Sequence, residues 1–390
     1  MACMLPQAKS TAINPVKSSQ PLGAAFAFLG VDGAVPLFHG SQECTSFALV
    51  LLVRHFKETI PLQTTAMEEL ETILGGEDRL KDAILNSKAR AEPQFIAVCT
   101  TALVETGDDD TTCDLANIKL KRARELTGTE VVLANAPEAL EEGWSKAVTA
   151  IVDRIARPGK QKPDPKKVGD IRDLGAATKC RGTGEHMRRP AEALQRLTAE
   201  PYVLFESLAG LKNAGRFILL LTTVSGEQAP AKVLRGRMQL QDAMLDGHFH
   251  LGGKKIAISA EPDQLLQLSD FFVGMGAKIS AAATTTGTSK ILQKVPAETV
   301  QVGDLCDLER LSAVAHLLVT YSHGRPAAER LAIPLMHAGF PVFDTLGSQH
   351  KLTILYQGTR DMIYEVANIM QADQHPPTPD ALDPVCNRGL

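Results

Sequence analysis

Seven cysteines hold most of the prospective chemistry of this 390-residue chain: Cys3, Cys44, Cys99, Cys113, Cys180, Cys306 and Cys386. An odd number, widely spaced in a chain of this length, does not form a disulfide framework. No C-x-x-C occurs, so there is neither a zinc ribbon nor a self-contained iron–sulfur motif. A metal cluster bound here would take most of its ligands from another chain. Cys44 stands apart because of its setting. It closes the loop Gly40-Ser41-Gln42-Glu43-Cys44, directly before an expected helix over Thr45–Phe56. A thiol at a helix N-terminus faces the positive end of the helix dipole, which favours the metal-binding thiolate. A buried free cysteine is the plainer reading of composition, and both remain open at this point.

The other polar motifs are weaker. No G-x-G-x-x-G follows a strand-like run and no G-x-x-x-x-G-K-[ST] occurs, so neither nucleotide fingerprint is present. His248-Phe249-His250 would place two imidazoles on one face of an extended segment, but no third metal ligand lies nearby in the sequence. Gly184-Glu185-His186, followed by Arg188 and Arg189, suits an anion site, an interface or a solvated loop. Thr284–Thr286 with Gly287 follows a strand-like run, where α/β proteins place ligands. None of these supplies a convincing general acid, base or nucleophile. No catalytic residue and no enzymatic step of the chain's own is expected.

These residues must be positioned by alternating strands and helices. Phe95–Val98, Glu130–Leu133, Tyr202–Phe205, Lys255–Ser259, Lys278–Ala282, His316–Thr320, Ile333–Met336 and Leu352–Leu355 are short apolar runs of the kind that form buried parallel strands. Amphipathic segments separate them. Asp114–Leu126 reads as a helix capped by Asp114, and Glu261–Met275 as one with Pro262 in its first turn and Gly276 as its stop. The alternation predicts an α/β protein with open parallel sheets. Arg157–Asp170 (RPGKQKPDPKKVGD), with three prolines and four lysines, is a linker, and a second seam falls near Gly247–Gly253. The expected division is an N-terminal α/β domain over 1–157, a linker and reduced middle domain over 158–246, and a C-terminal Rossmann-like domain over 247–390.

With 44% hydrophobic and 22% charged residues the chain is not disordered. A net charge of −4 and 5% aromatic residues give no footprint for nucleic acid. The longest apolar stretches, Leu22–Leu29 and Phe217–Val224, are far short of the ~20 residues of a membrane helix. The first residues carry no apolar core of the signal-peptide kind, so a cytoplasmic location without membrane contact is expected.

The stretch NPVKSSQPLGAAFAFLGVDGAVPLFHGSQECTSFALVLLVRHFKETIPLQTTAMEE resembles the nitrogenase β-type family. FIAVCTTALVET, DAMLDGHFHLGGKKIAISAEPDQL and GFPVFDTLGSQHKLTILYQGTRD are similar to the same family, so the resemblance covers nearly the whole chain. It implies a nitrogenase-like fold of three Rossmann-like domains. Catalytic β chains of the family give three cysteines to an eight-iron P-cluster. The first follows N-P-x-K, and that position here is Ser19; the second ends G-S-Q-x-C and is Cys44; the third position, after Thr101, is Ala102. One thiolate of three cannot hold half of a P-cluster, but it can complete a four-iron cubane whose other thiolates come from a partner.

The resemblance therefore implies the cofactor-assembly branch of the family, with Cys44 as both cofactor-binding and metal-ligating residue of a [4Fe-4S] cluster shared between subunits. It implies an α2β2 heterotetramer with the α-type protein NifE. That complex would hold an iron–molybdenum cofactor precursor, take electrons from the nitrogenase iron protein and pass the cofactor to apo-nitrogenase. A β-type subunit of a nitrogenase-like reductase, or a degenerate non-assembling relative, are the alternatives. Two departures from the family pattern stand out. Glu43 replaces the usual glycine beside Cys44, and the middle domain is shortened, passing from Lys167 almost directly to Ile171-Arg172-Asp173-Leu174-Gly175.

Overall fold

Uninterrupted apolar runs set the sheets. The computed structural model describes residues 2–6, 18–68, 71, 75–105, 110–134, 139–156, 180–199 and 201–374. In chain order its strands are β1 (Cys3–Leu5), β2 (Ala34–His39), β3 (Gln63–Thr64), β4 (Phe95–Thr100), β5 (Glu130–Ala134), β6 (Cys180–Thr183), β7 (Tyr202–Phe205), β8 (Lys255–Ser259), β9 (Lys278–Thr284), β10 (Thr299–Val302), β11 (Leu317–Thr320) and β12 (Leu335–His337). The α-helices are α1 (Gln20–Leu29), α2 (Gln42–Phe56), α3 (Glu77–Ala91), α4 (Ala102–Glu105), α5 (Thr111–Lys121), α6 (Leu140–Ile155), α7 (Arg188–Thr198), α8 (Leu211–Ser225), α9 (Ala231–Leu251), α10 (Pro262–Gly274), α11 (Leu305–Leu311), α12 (Arg325–Leu331) and α13 (Leu355–Gln374).

Contacts group the chain into two units. One comprises Lys17–Glu206 with Glu261–Asp263. Its main sheet has the order β3-β2-β4-β5, all parallel, and a second sheet is the parallel pair β6-β7. Every residue of β2 and β4 is buried, as expected of strands covered on both faces. One side of the sheet carries Leu37, Ile96, Val98 and Val131 into a core with Leu80, Ile84, Leu115 and Ile118 from α3 and α5. On α1, Leu22, Ala24, Ala25 and Phe28 are buried too. The helices α1 and α6 cross at two glycines. A β-carbon on Gly23 would lie 1.9 Å from the Leu140 carbonyl oxygen, and one on Gly143 would lie 2.0 Å from the Gln20 carbonyl oxygen.

The other unit comprises Met1–Val16, Ser207–Ala260 and Gln264–Leu390. Its six strands are all parallel in the order β1-β10-β9-β8-β11-β12. Chain order reverses between β8 and β11, the doubly wound pattern of a Rossmann-like sheet. Ile256, Ile258, Leu317 and Val319 point to one core layer, and Ala257, Ala281, Ala283 and Leu318 to the other. The short strand β1 closes one edge of this sheet by pairing Cys3 with Thr299 and Leu5 with Gln301.

Three local expectations are corrected. Leu352–Leu355 forms no strand: Leu352 folds against the first turn of α13, where a β-carbon on Gly358 would meet it at 2.8–2.9 Å. Helix α5 begins a turn early, because Asp110, not Asp114, caps it by accepting from the Cys113 N–H at 3.1 Å. His248 and His250 lie in α9 rather than in an extended segment; two residues apart on a helix they share no face.

The glycine crossing yields a direct test. Gly23→Ala should cost roughly 1–3 kcal/mol, since the added methyl meets backbone that cannot step aside. Gly274→Ala, where nothing lies within 4 Å, should be near neutral. Urea unfolding of the two variants beside the parent measures the difference.

Candidate functional site

The chain leaves β2 and β4 at the same level, His39 paired with Thr100. The connections that leave these two strands are therefore brought together at the carboxyl edge of the sheet. After β2 comes Gly40, whose backbone passes so close to Thr101 that a β-carbon would meet the Thr101 Oγ1 at 2.0 Å. The buried Thr65 hydroxyl fastens this corner. It accepts from the Gly40 N–H at 3.0 Å and lies 3.2 Å from His39 Nδ1. The Gly40 carbonyl accepts from the Met67 N–H at 2.9 Å, and the His39 carbonyl from the Thr101 N–H at 3.0 Å.

From this corner Ser41 begins α2 in an extended conformation, and the helix opens at Gln42, three residues earlier than the sequence suggests. Cys44 thus lies inside the first helical turn and not in the loop before it. Its side chain is exposed, 3.5 Å from the Ser41 hydroxyl. Glu43 beside it is exposed as well and adds an acidic group to the turn.

The two other positions that the family resemblance marks are at the same edge. Ala102 starts α4, directly after Thr101, and is exposed. Ser19 caps α1, which ends four residues before β2 begins and so starts at the opposite, carboxyl end of the strands. Ser19 is exposed and forms a bridge with Ala139, just ahead of α6. Neither Ser19 nor Ala102 offers a thiol. Cys99, next to the lost third position, is fully buried, its Sγ 3.7 Å from the Ala97 carbonyl, and burial drives its thiol far above the ordinary range. It is a packed side chain. Burial also pushes the Cys180 thiol up. Cys3 and Cys113 are exposed and Cys306 partly so; Cys386 lies outside the described residues.

Helix α2 shows a feature that the run FALVLLV concealed. Phe47, Val50 and Val53 are exposed, Phe47 by 70%, along the side of the helix that continues from Cys44. An apolar stripe next to an exposed thiol is a surface made to be covered. The segment Pro21–Leu29, by contrast, is mostly core: it packs on the chain's own α6, with Pro21, Phe26 and Leu29 half-buried.

The Gly184-Glu185-His186 loop does bind an anion, one from its own chain. The Glu185 and His186 N–H groups each donate to the Asp263 carboxylate at 2.9 Å, and His186 Nδ1 lies 2.5 Å from Asp263 Oδ2. Gly184, at φ +89°, makes room: a β-carbon there would meet the His186 ring at 2.5 Å and Asp263 at 2.8 Å. Glu141 accepts from the Asp263 N–H at 3.1 Å. Ligand atoms of Glu141, His186 and Asp263 lie within 4.8 Å of one another, the one such group among the described residues. Within this group the Asp263 carboxylate is taken by the two N–H donors and by His186 Nδ1. Arg188 pairs with Glu185 and Arg189 with Glu142, so the cations of this motif are also used within the chain.

The parallel sheets, the doubly wound order and the cysteine-bearing edge define a nitrogenase-type α/β protein. Residues 19–168 and 164–371 match the family described as nitrogenase component 1 type oxidoreductase, and the chain belongs to it. Among similar proteins is the nitrogenase iron-molybdenum cofactor biosynthesis protein NifN of Mesorhizobium japonicum, 57% identical over 100% of this chain and 97% of that protein. The NifN of Sinorhizobium fredii is 53% identical over 98% of each, and that of Klebsiella pneumoniae 30% over 94% of this chain and 93% of its own. A solved structure, "Nitrogenase Cp1 at pH 6.5", superposes with a TM-score of 0.86 at 25% identity, covering 96% of each chain.

The alignment with the Mesorhizobium protein runs over 448 positions for a chain of 390 residues. The excess is sequence that the relative has and this chain lacks. The two family matches meet at residues 164–168, where a continuous match would need no join. The shortened middle domain therefore corresponds to an internal gap close to this point, outside the described residues.

Two measurements probe the site's supports. Thr65→Val keeps the shape but leaves the buried Gly40 N–H without its acceptor; it should cost roughly 1–3 kcal/mol in thermal unfolding and speed maleimide labelling at Cys44. At Asp263, burial alone would raise the carboxyl, but the His186 ring and the two N–H donors outweigh it and hold it below its usual range. The stability from that charge is present above the unfolded carboxylate value of about 3.9 and is lost as pH falls through the lower folded value. Asp263→Asn should flatten the acid limb of a stability–pH curve below about pH 4 and leave the neutral-to-alkaline limb parallel to the parent's.

Proposed function

We propose that this chain is the β-type half of a scaffold on which the nitrogenase iron–molybdenum cofactor is assembled, with NifE as its α-type partner in an α2β2 heterotetramer. The complex holds an iron–sulfur precursor as cargo while molybdenum and homocitrate are added. It accepts electrons from the nitrogenase iron protein and transfers the product to apo-nitrogenase. The chain is a cytoplasmic binding and positioning subunit and contributes no catalytic residue of its own. No helix among the described residues is long and apolar enough to cross a membrane.

The observation that carries this reading is the exposed Cys44 on an edge whose two other family ligand positions are Ser19 and Ala102. An exposed thiol held by a rigid corner fits one ligand of a cluster completed from outside. It does not fit three ligands of a P-cluster, which disfavours a catalytic nitrogenase β chain, and the similarity to NifN along the whole chain disfavours the β-type subunit of another nitrogenase-like reductase. A [4Fe-4S] cluster, when bound, supplies one-electron transfer. This chain's part is to present the Cys44 sulfur, to fix its direction through Ser41 and the Gly40 corner, and to cover the site with the α2 stripe of Phe47, Val50 and Val53. Glu43 places a negative charge beside it, which would lower the cluster's potential. The internal gap near residues 164–168 favours the second reading, a relative that no longer assembles.

Co-expression with NifE separates these readings: a heterotetramer carrying iron and sulfide supports the scaffold, and a chain that never co-elutes with NifE supports the remnant. Within the complex, Cys44→Ala should change the electron paramagnetic resonance signal and oxygen lability of the cluster and lower cofactor maturation, with little effect on unfolding. Cys44→Ser should be milder, since a serine oxygen can ligate iron. Unchanged spectra, iron content and maturation in Cys44→Ala would leave Cys44 a plain surface thiol.

A further inference from the structure

The unit that carries the six-stranded sheet contains a cavity of about 1010 Å³ between α8, α9, α10 and α13, four helices of that one unit. Its volume is that of the larger small-molecule sites, which run to roughly 1,000 Å³. Glycines keep it open. On Gly274, at the end of α10, a β-carbon would meet nothing within 4 Å, and on Gly215, within α8, it would lie 3.6 Å from the Tyr356 hydroxyl oxygen. The walls are largely aliphatic: Ile218 and Leu219 of α8, Leu234 and Met244 of α9, Val273 of α10 and Ile363 of α13. Two buried polar side chains, Thr359 and Tyr356, belong to the lining. Thr359 is used within the chain, accepting from the Gly210 N–H at 2.9 Å and donating to the Leu355 carbonyl at 2.6 Å. Tyr356, only 7% exposed, has no hydrogen-bond partner for its hydroxyl among the described residues. Buried hydroxyls are normally partnered, so this one is a donor left for a ligand.

The charges of the lining indicate which ligand. Arg216, the residue after Gly215, and Lys212, one turn earlier on α8, both line the cavity, as does Arg237 of α9. All three are exposed, and none has an ion-pair partner among the described residues. Asp270 is the one acid in the lining. Aliphatic walls beside an excess of positive charge are complementary to an alkyl chain that ends in an anion. A nucleotide is not served: the sequence has neither nucleotide fingerprint, and branched side chains offer no stacking platform for a base. A partner protein's helix laid across α8 and α9 would meet the cations but not the hydroxyl enclosed beneath Gly215. We propose that this cavity binds a fatty carboxylate. Its head group accepts from the Tyr356 hydroxyl and the Arg216 guanidinium, and its alkyl chain lies along Ile218, Leu234 and Met244. Lys212 and Arg237 supply the surrounding positive field. The site uses this unit alone and does not depend on the cluster reading, so Cys44→Ala should leave it unchanged.

Isothermal titration calorimetry of dodecanoate into the full-length chain, stripped of lipid beforehand, tests it. Dodecanoate should bind at one site per chain, and its methyl ester about tenfold or more weaker, because the ester brings no charge to Arg216. Tyr356→Phe removes the hydroxyl alone and should weaken dodecanoate binding by about tenfold. Arg216→Gln should narrow the preference for acid over ester. Gly215→Leu fills the space over Tyr356 with a better helix former; it should abolish binding while circular dichroism and thermal unfolding confirm an intact fold. No binding of dodecanoate at millimolar concentration, equal affinity for acid and ester, or unchanged affinity in Tyr356→Phe and Gly215→Leu would overturn the proposal. A chain that ignores dodecanoate but binds an acidic amphipathic peptide would overturn it in favour of a protein partner.

Discussion

The close approach of Gly40 to Thr101 is the constraint on which the cysteine-bearing edge depends. The strands β2 and β4 are buried along their whole length and end in register, so the two connections leaving them compete for the same space. Only a residue without a β-carbon lets the chain turn away from β2 there. The Thr65 hydroxyl then closes the corner by hydrogen bonding to Gly40, and the Met67 N–H holds the next carbonyl. With that corner fixed, Ser41 has one way to enter α2, and the Cys44 sulfur emerges on the outside of the first turn. A thiol that is exposed and yet firmly placed is what a shared ligand requires: it can reach a group held by another chain without reorganising its own.

A second pair of glycines brings the remaining part of that edge into place. Gly23 and Gly143 allow α1 and α6 to cross backbone against backbone, which sets the start of α1, with Ser19, at the carboxyl end of the sheet. The three positions that the family resemblance marks therefore lie at one edge of the sheet. Ser19 and Ala102 occupy the same edge as Cys44 but cannot match its affinity for iron. Under the proposed function, an edge with one thiol and two positions without a thiol takes the remaining ligands of a cluster from a partner chain.

The Gly184 loop illustrates how an anion-binding arrangement can serve the fold. Two consecutive N–H groups and an imidazole converge on a point, as they would on a phosphate. Asp263 fills it, and the carboxyl is held ionised by the donors around it despite burial. The chemistry inferred from the residue types was sound. What the types could not reveal was that the anion belongs to the chain itself, because Asp263 is 77 residues away from His186.

Periodicity and burial are local properties, and the sequence by itself determined what depends on them. It specified the α/β class, and strands at Phe95, Glu130, Tyr202, Lys255, Lys278 and His316 that match observed ones to within a few residues, although the strand at Tyr202, expected to be buried, leaves Val203 exposed. It also specified Pro262 in the first turn of its helix and a cysteine beside a helix N-terminus. It could not determine what depends on distant chain. Leu352–Leu355 has the composition of a strand, but Leu352 is held against Gly358 in the first turn of α13. His248 and His250 would share a face only in an extended segment, and α9, packed on α13, does not provide one. The strand β1 finds its partner almost three hundred residues away, at Thr299. The thiols of Cys44 and Cys99 also illustrate the distinction. Both stand near motifs of one family, and only the sheet decides that the side chain of Cys99 is enclosed on β4 while that of Cys44 is left outside. Tertiary packing made that decision, because exposure is set by what the rest of the chain lays over a residue and not by the residue's neighbours in sequence.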